Sequence, residues 1–497
     1  MTPLRPYLPG RAFSLFILFV LFVGLCSCRA GATDIEAQAT GIPATLSGIR
    51  QTMAPVLAER GRLNALQAAY ASRDFAPLWS LNGTPTLQAI SLVHTLRAAE
   101  RYGLRAQDYV GGLTTDPSVV PVSSQEPHNK VGPEFDVALS SAALQFLSDV
   151  HFGRVDPASA GYHLPSIRPP LDLDSLLLQL ASTDDIDGVI ASVEPQFYHY
   201  QLLKQALLRY RLLASGAASA SRSELLTAPY GHRIRQIELT LERWRWLPPF
   251  TSPPIIVNIP QFRLFAFQST RDRKAEILQM DVIVGRTYPK LQTPVFTADM
   301  KYVIFRPYWD VPYSITQHEM LPQIRRNPNY LEKEHLEIVR GPGDSATVIP
   351  PSAESIGELA AGRLRLRQQP GDDNALGLIK FMLPNTYNVY LHSTPAHRLF
   401  SQSRRAFSHG CIRVSDPVAL ASYVLNNAPG SWTPETITAA MNGPTSVRVN
   451  LTKPIQVLIL YATALATEDG NVLFFEDIYG HDRKLEQLLA LPALNGT

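Results

Sequence analysis

The sequence predicts an α+β protein: a helical N-terminal half, then a mostly β half that carries a helical insertion. Three observations predict it. Apolar residues recur at three- and four-residue spacing through the first half of the chain. Runs of alternating apolar and polar residues begin just after Pro253. A small, polar stretch containing SGAASASRSE lies shortly before the change of period. At roughly 150 residues per domain, the 497-residue chain has room for about three domains.

Residues 1–32 read as an export segment. Arg5 and Arg11 precede an uncharged apolar run over 15–25, which is shorter than the roughly 20 residues a membrane span needs. Two cleavage readings stay open. Ala30-Gly31-Ala32 suits release of a soluble product, whereas Leu25-Cys26-Ser27-Cys28 resembles a lipobox that would leave a lipid on Cys28 and tether the chain to a membrane. Either way the expected location is the periplasm or cell envelope.

Residues 35–213 form the expected helical domain. Leu63, Leu66 and Tyr70 share one helix face, Leu139, Ala143, Phe146 and Leu147 a second, and Leu203, Leu207 and Tyr210 a third. These stripes are read as packing. Residues 116–133, rich in Ser, Pro, Asp and Glu, are expected to form a long loop. A linker is expected over 214–229 and a connecting helix over 230–250, with Ile234, Ile237, Leu241 and Trp244 on its apolar face and Pro248-Pro249 at its end.

The β domain is placed at 254–488. IIVNIPQFRLFAF, MDVIVG, KYVIFRPYW, NVYLH, VRVNL, IQVLILYATA and NVLFFEDIY supply its strands. Glu468-Asp469-Gly470-Asn471 signals a hairpin between the last two. Residues 314–377 read as a helical insertion. The formal charge of +2 offers no basic surplus for nucleic acid, and the 45 % apolar content allows a sizeable core.

The chemistry concentrates in HSTPAHRLFSQSRRAFSHGCIRVSDP, which begins at His392 and holds Cys411, the single cysteine outside the export segment. A folded body with one cysteine forms no internal disulfide, so the thiol is a small buried hydrophobe, half of an intermolecular bridge, or reactive. A nucleophilic cysteine needs a base or positive surroundings to reach its thiolate. If residues 408–415 are extended, His409, Cys411 and Arg413 face the same side. Gly410 lets the backbone bend and leaves the Cys411 N–H open to an oxyanion. His392, at the end of NVYLH, is the other candidate base, and chemistry alone does not choose between it and His409. His397 reads as solvated. Arg413, then Arg404, are the candidates for binding an anionic peptide. With no HExxH and no CxxC, a metal site is not expected, and no GxSxG supports a serine hydrolase.

HSTP, a spacer and SHGCIRV together resemble the catalytic motif of the L,D-transpeptidases, bacterial enzymes that remodel peptidoglycan through a cysteine nucleophile. NIPQFRLFAF, VIVGR, QTPVF, RPYWDVP, NALGLIKFMLPNTYNVYLH and DGNVLFFEDIYGHD are similar to the larger members, which carry a capping insertion. RDFAPLW, GRVDP and ALLRYR are similar to their helical scaffold domain. The resemblance implies Cys411 as nucleophile, His392 as base and His409 as a supporting group. Ser408, Gly410 and Arg413 would shape the oxyanion and substrate region, and 314–377 would cap the cleft.

It also implies 3→3 cross-linking of peptidoglycan stem peptides as donor and acceptor, acylation by carbapenem-type β-lactams, and no cofactor. One departure stands out. Larger members place a peptidoglycan-binding module where this chain has only residues 214–229. Rival readings are an L,D-carboxypeptidase or a hydrolase releasing wall-attached protein through the same cysteine, a non-catalytic wall-synthesis scaffold, and a papain-type or amidase-type cysteine peptidase.

Overall fold

A computed structural model describes residues 41–47, 61–113, 130–164, 168–215, 230–269, 276–327, 329–343 and 345–490. The export segment with Cys26 and Cys28, most of the expected 116–133 loop and nearly all of the 214–229 linker lie outside them. The architecture is α+β, with a helical region followed by a β-rich body whose sheet is barrel-like.

The helical region comprises Arg62–Ala71, Leu87–Arg97, Pro133–Phe152, Leu173–Ser182 and Ile186–Val193 around Leu66, Tyr70, Trp79, Leu92 and Phe146. The turn after Arg62–Ala71 is held by a buried carboxylate. Asp136 accepts from the Tyr70 hydroxyl at 2.7 Å, Leu78 N at 2.8 Å and Trp79 N at 2.9 Å, and the Trp79 indole donates to Ser140 at 2.8 Å. Backbone donors there find no helical or strand partner, so the side chain satisfies them.

Helices Tyr198–Ser215 and Gly231–Arg245 pack on each other and against Ile256, Leu458 and Leu460 of the sheet. Gly231–Arg245 is charged yet mostly buried, so its charges are paired. Glu242 meets Arg245 at 3.1 Å, and its other oxygen accepts from Arg154 N at 2.5 Å and Val155 N at 2.9 Å. The GRVDP loop is thus fastened to this helix.

The main sheet has nine strands. Its order is Ala406–Ser408, Ile277–Gly285, Ile412–Val414, Leu391–His392, Ile379–Met382, Phe296–Phe305, Val447–Leu460, Ile255–Asn258, Arg263–Phe267. The last strand pairs back onto Ile277–Gly285 and closes the barrel. NIPQFRLFAF is interrupted by a turn at Phe262, whose φ is 55°, and VRVNL and IQVLIL form one long strand with a register shift between Asn450 and Ile455. Ala464–Ala466 and Val472–Phe474 form the hairpin signalled by EDGN.

The insertion is more than helical. Besides Leu321–Arg326, Tyr330–Lys333 and Ala353–Ala360 it supplies three strands of a four-stranded sheet ordered Trp309–Asp310, Arg365–Gln368, Leu336–Arg340, Thr347–Ile349, whose first strand precedes it. Leu336 with Ile338, and Leu364 with Leu366, alternate into its own core.

Candidate active site

Two short strands place the chemistry. Leu391–His392 runs parallel to Ile412–Val414, with Leu391 opposite Ile412 and His392 opposite Arg413. On its other side His392 is opposite Lys380 of Ile379–Met382. Cross-strand partners share a face, so Arg413, His392 and Lys380 form one row. Leu391 and Ile412 are fully buried on the opposite face, which locks the register.

The expectation that 408–415 is one extended run is corrected. The strand stops at Ser408 and resumes at Ile412, with both pieces bonded to Ile277–Gly285. Between them Ser408 Oγ accepts from Gly410 N at 3.1 Å and donates to the Cys411 carbonyl at 2.5 Å. A local side-chain bond of this kind competes with the ladder and turns the chain. Gly410 adopts φ 117°, which an L-residue rarely reaches, and its carbonyl accepts from Thr293 Oγ1 at 2.8 Å. The Gly410 N–H is therefore committed to Ser408. His409 leaves the row and places Nε2 2.6 Å from Glu319 Oε1 of the insertion.

Cys411 is half-buried, and its thiol donates to the Asn388 carbonyl at 3.5 Å. Burial pushes the thiol above its ordinary value. The Tyr390 N–H and hydroxyl, Lys380 and Arg413 pull it back by stabilising the thiolate. Tyr390 is itself held on three sides. Its hydroxyl meets the thiol and the Trp309 side chain, and the Lys380 ammonium lies 3.9 Å from its ring centroid.

His392 is buried and its Nδ1 lies 2.6 Å from the Ser393 carbonyl. A carbonyl only accepts, so Nδ1 carries the proton and Nε2 is the basic nitrogen of the neutral ring. Burial, then the Arg413 charge, push the ring down to about 3, against the pull of the Ser393 and Leu376 backbone carbonyls, with Lys380 lowering it further. The Ser393 hydroxyl in turn accepts from Leu378 N at 2.8 Å and Ile379 N at 3.1 Å, fixing the HSTP segment.

Of the sequence candidates, His392 and Arg413 share a face and Arg413 acts on the Cys411 thiol, with Ser408 and Gly410 building the turn that carries it. Arg413 has a buried Nε without a hydrogen-bond partner among the described residues. Arg404 is not brought there: it forms an exposed pair with Glu476 at 3.3 Å. Sequence reasoning missed Tyr390, Lys380, Trp309, Thr293 and Glu319. Tyr390 was within reach, because alternation along NVYLH puts it on the face of His392. Lys380 and Glu319 come from segments far away in sequence.

Comparison with known proteins agrees with this architecture. A scaffold-domain family model matches residues 64–207, and an L,D-transpeptidase catalytic-domain model matches residues 253–449. A Haemophilus influenzae protein named "Putative L,D-transpeptidase" is 29 % identical over 430 residues, covering 84 % of this chain and 78 % of the relative. With a scaffold domain ahead of a barrel in which His392 is paired with Arg413 two residues from Cys411, this chain carries an L,D-transpeptidase catalytic domain.

Proposed function

We propose that this protein is an exported peptidoglycan transpeptidase working in the periplasm or cell envelope, with Cys411 as nucleophile. The observation that carries the reading is the thiol's position against Tyr390, with Lys380 and Arg413 acting on it and His392 in row with both. Cationic and hydrogen-bonding neighbours favour the thiolate, and neutral His392 offers Nε2 as base.

The sulfur attacks the carbonyl that joins the third residue of a tetrapeptide stem to terminal D-Ala. The thiol proton passes to His392, and the oxyanion meets the Cys411 N–H, since the Gly410 N–H is bonded to Ser408. Collapse breaks the peptide bond, D-Ala leaves with the proton from His392, and a thioester remains. A side-chain amine on another stem's third residue then attacks, the carbon–sulfur bond breaks, and a 3→3 cross-link forms. Arg413, with its unpartnered Nε, suits the donor's terminal carboxylate. A second outcome, transfer to water, gives L,D-carboxypeptidase action from the same thioester.

A carbapenem would occupy the donor's place. Intact-mass measurement after incubation should show one adduct on the wild type and none on Cys411→Ala. An adduct that persists in Cys411→Ala overturns the assignment. Muropeptide analysis of the products separates cross-linking from hydrolysis.

A further inference from the structure

The two halves of the proposed reaction make opposite electrostatic demands. The donor ends in a carboxylate, which the Arg413 and Lys380 side of Cys411 suits. The acceptor arrives as a primary ammonium, protonated below a pKa of about 10. A row with buried His392 between half-buried Arg413 and Lys380 repels such a cation. The turn ahead of Cys411 instead meets a carboxylate, that of Glu319.

There, two residues before the thiol, His409 Nε2 lies 2.6 Å from Glu319 Oε1. Both side chains stay open to solvent, 25 % exposed for His409 and 47 % for Glu319. A carboxylate accepts, so Nε2 carries the hydrogen and Nδ1 is the unprotonated nitrogen of the neutral ring. Glu319 sits in a π-helical turn, Thr316–Met320, set between the helical segments Tyr313–Ile315 and Leu321–Arg326. Such turns recur at functional sites, because the extra residue re-aims the side chains around it. Trp309, just ahead of the insertion, pairs with Gln368 of the insertion's sheet and contacts Tyr390 on the donor side. The insertion's sheet thus adjoins the donor side, while its Glu319 meets His409. The charged and titratable neighbours are Tyr330, which faces Glu319, and Arg286, which donates to the Ser408 and Phe407 carbonyls.

We propose that the His409–Glu319 pair is the acceptor-amine site, in which Glu319 draws in the ammonium of a stem peptide and His409 takes its proton. The proposal rests on the Cys411 thioester reading. In the step, the ammonium gives one proton to His409 Nδ1, which passes it to bulk water. The freed amine nitrogen bonds to the thioester carbonyl carbon, the carbon–sulfur bond breaks, and the nitrogen's second proton ends on the departing sulfur. The products are an amide, a thiol and one proton in solution. His392 serves the thiol, and His409 serves the amine.

The test uses the whole protein with a disaccharide-tetrapeptide donor and a tripeptide-stem acceptor bearing a primary amine, comparing wild type, His409→Gln and Glu319→Gln. Formation of the carbapenem adduct on Cys411 reports folding and acylation in each. The ratio of amide transfer to hydrolysis should fall about 10²-fold in His409→Gln, within the range of general-base contributions. A smaller fall is expected in Glu319→Gln, with a raised acceptor KM. Transfer by His409→Gln should recover only as pH approaches the acceptor's own pKa. A ratio unchanged within twofold in both variants, or acylation falling in step with transfer, overturns the proposal while leaving the thioester intact. A wild type that forms no Cys411 adduct overturns the thioester and this proposal with it.

Discussion

His392 and Arg413 are direct cross-strand partners on adjacent parallel strands, so a guanidinium stands beside the ring that we propose as base. Replacing Arg413 with Met should raise the His392 pKa from about 3, because the Arg413 charge is the second cause of the depression. It should stay below the ordinary value near 6.5, since burial remains. Titration of the ring Cε1–H by NMR checks this. The same variant removes one stabiliser of the thiolate, so acylation of Cys411 at pH 7 should slow, by roughly tenfold for each unit the thiol rises.

Acid should destabilise the fold through two histidines, buried His392 and half-buried His481. His392 is pushed down to about 3 and His481 to about 4, each chiefly by burial and then by a neighbouring arginine, Arg413 or Arg243. The folded state holds both neutral while the unfolded chain protonates them below about 6.5. Their contribution is therefore complete above that value and is lost as pH falls toward 4 and 3. Each adds a slope of about 1.4 kcal/mol per pH unit within its window. Urea midpoints at pH 7, 6 and 5 should fall progressively, and His481→Gln should flatten the decline.

Tyr390→Phe should slow Cys411 acylation by about tenfold or more. The hydroxyl stabilises the thiolate, and its removal also leaves the Trp309 side chain without that partner. Trp309 is half-buried, so the lost bond is worth about 1 kcal/mol and only a small drop in Tm should accompany the kinetic loss. Stopped-flow acylation with a carbapenem and a thermal melt read the two effects separately.

Glu242→Ala should cost about 3–5 kcal/mol without touching the thiol. Arg245 would be left buried and uncompensated, and the Arg154 and Val155 amides would lose their acceptor. Denaturant unfolding should show the loss. The carbapenem acylation rate of the fraction that remains folded should stay within threefold of wild type.

Gly410→Ala has room for its methyl, the nearest heavy atom being Gln292 O at 3.6 Å, but φ 117° does not suit an L-residue. The expected strain is about 1–3 kcal/mol. It is relieved by rotating the turn that carries Cys411, so acylation should fall by more than tenfold with only a small change in Tm.

The motif from His392 to Arg413 was legible because local spacing is a property of consecutive residues, whereas of the expected strand NVYLH only Leu391–His392 forms, Asn388 taking φ 54°. The change of period near residue 250 likewise falls between Gly231–Arg245 and Ile255–Asn258. The insertion's sheet was overlooked although LEIVR and RLRLRQ alternate, because short runs inside a helix-rich segment give a weak period. The extended reading of 408–415 failed for a different reason. Ser408 turns the chain through a side-chain bond, and the two strand ends are held apart by a third strand from elsewhere.

By itself the sequence determined the thiol, its flanking Ser-His-Gly and arginine, the α+β order of the chain and the family it resembles. Those depend on residue type and spacing, which the chain states directly. Only the tertiary structure decided the company the thiol keeps: Lys380 in row with His392, Tyr390 bound to Trp309, and His409 turned away to Glu319. The reason is that charge acts through space. Lys380 and Glu319 lie in separate segments upstream of Cys411, and barrel closure with docking of the insertion brings Lys380 to the thiol and Glu319 to the turn ahead of it.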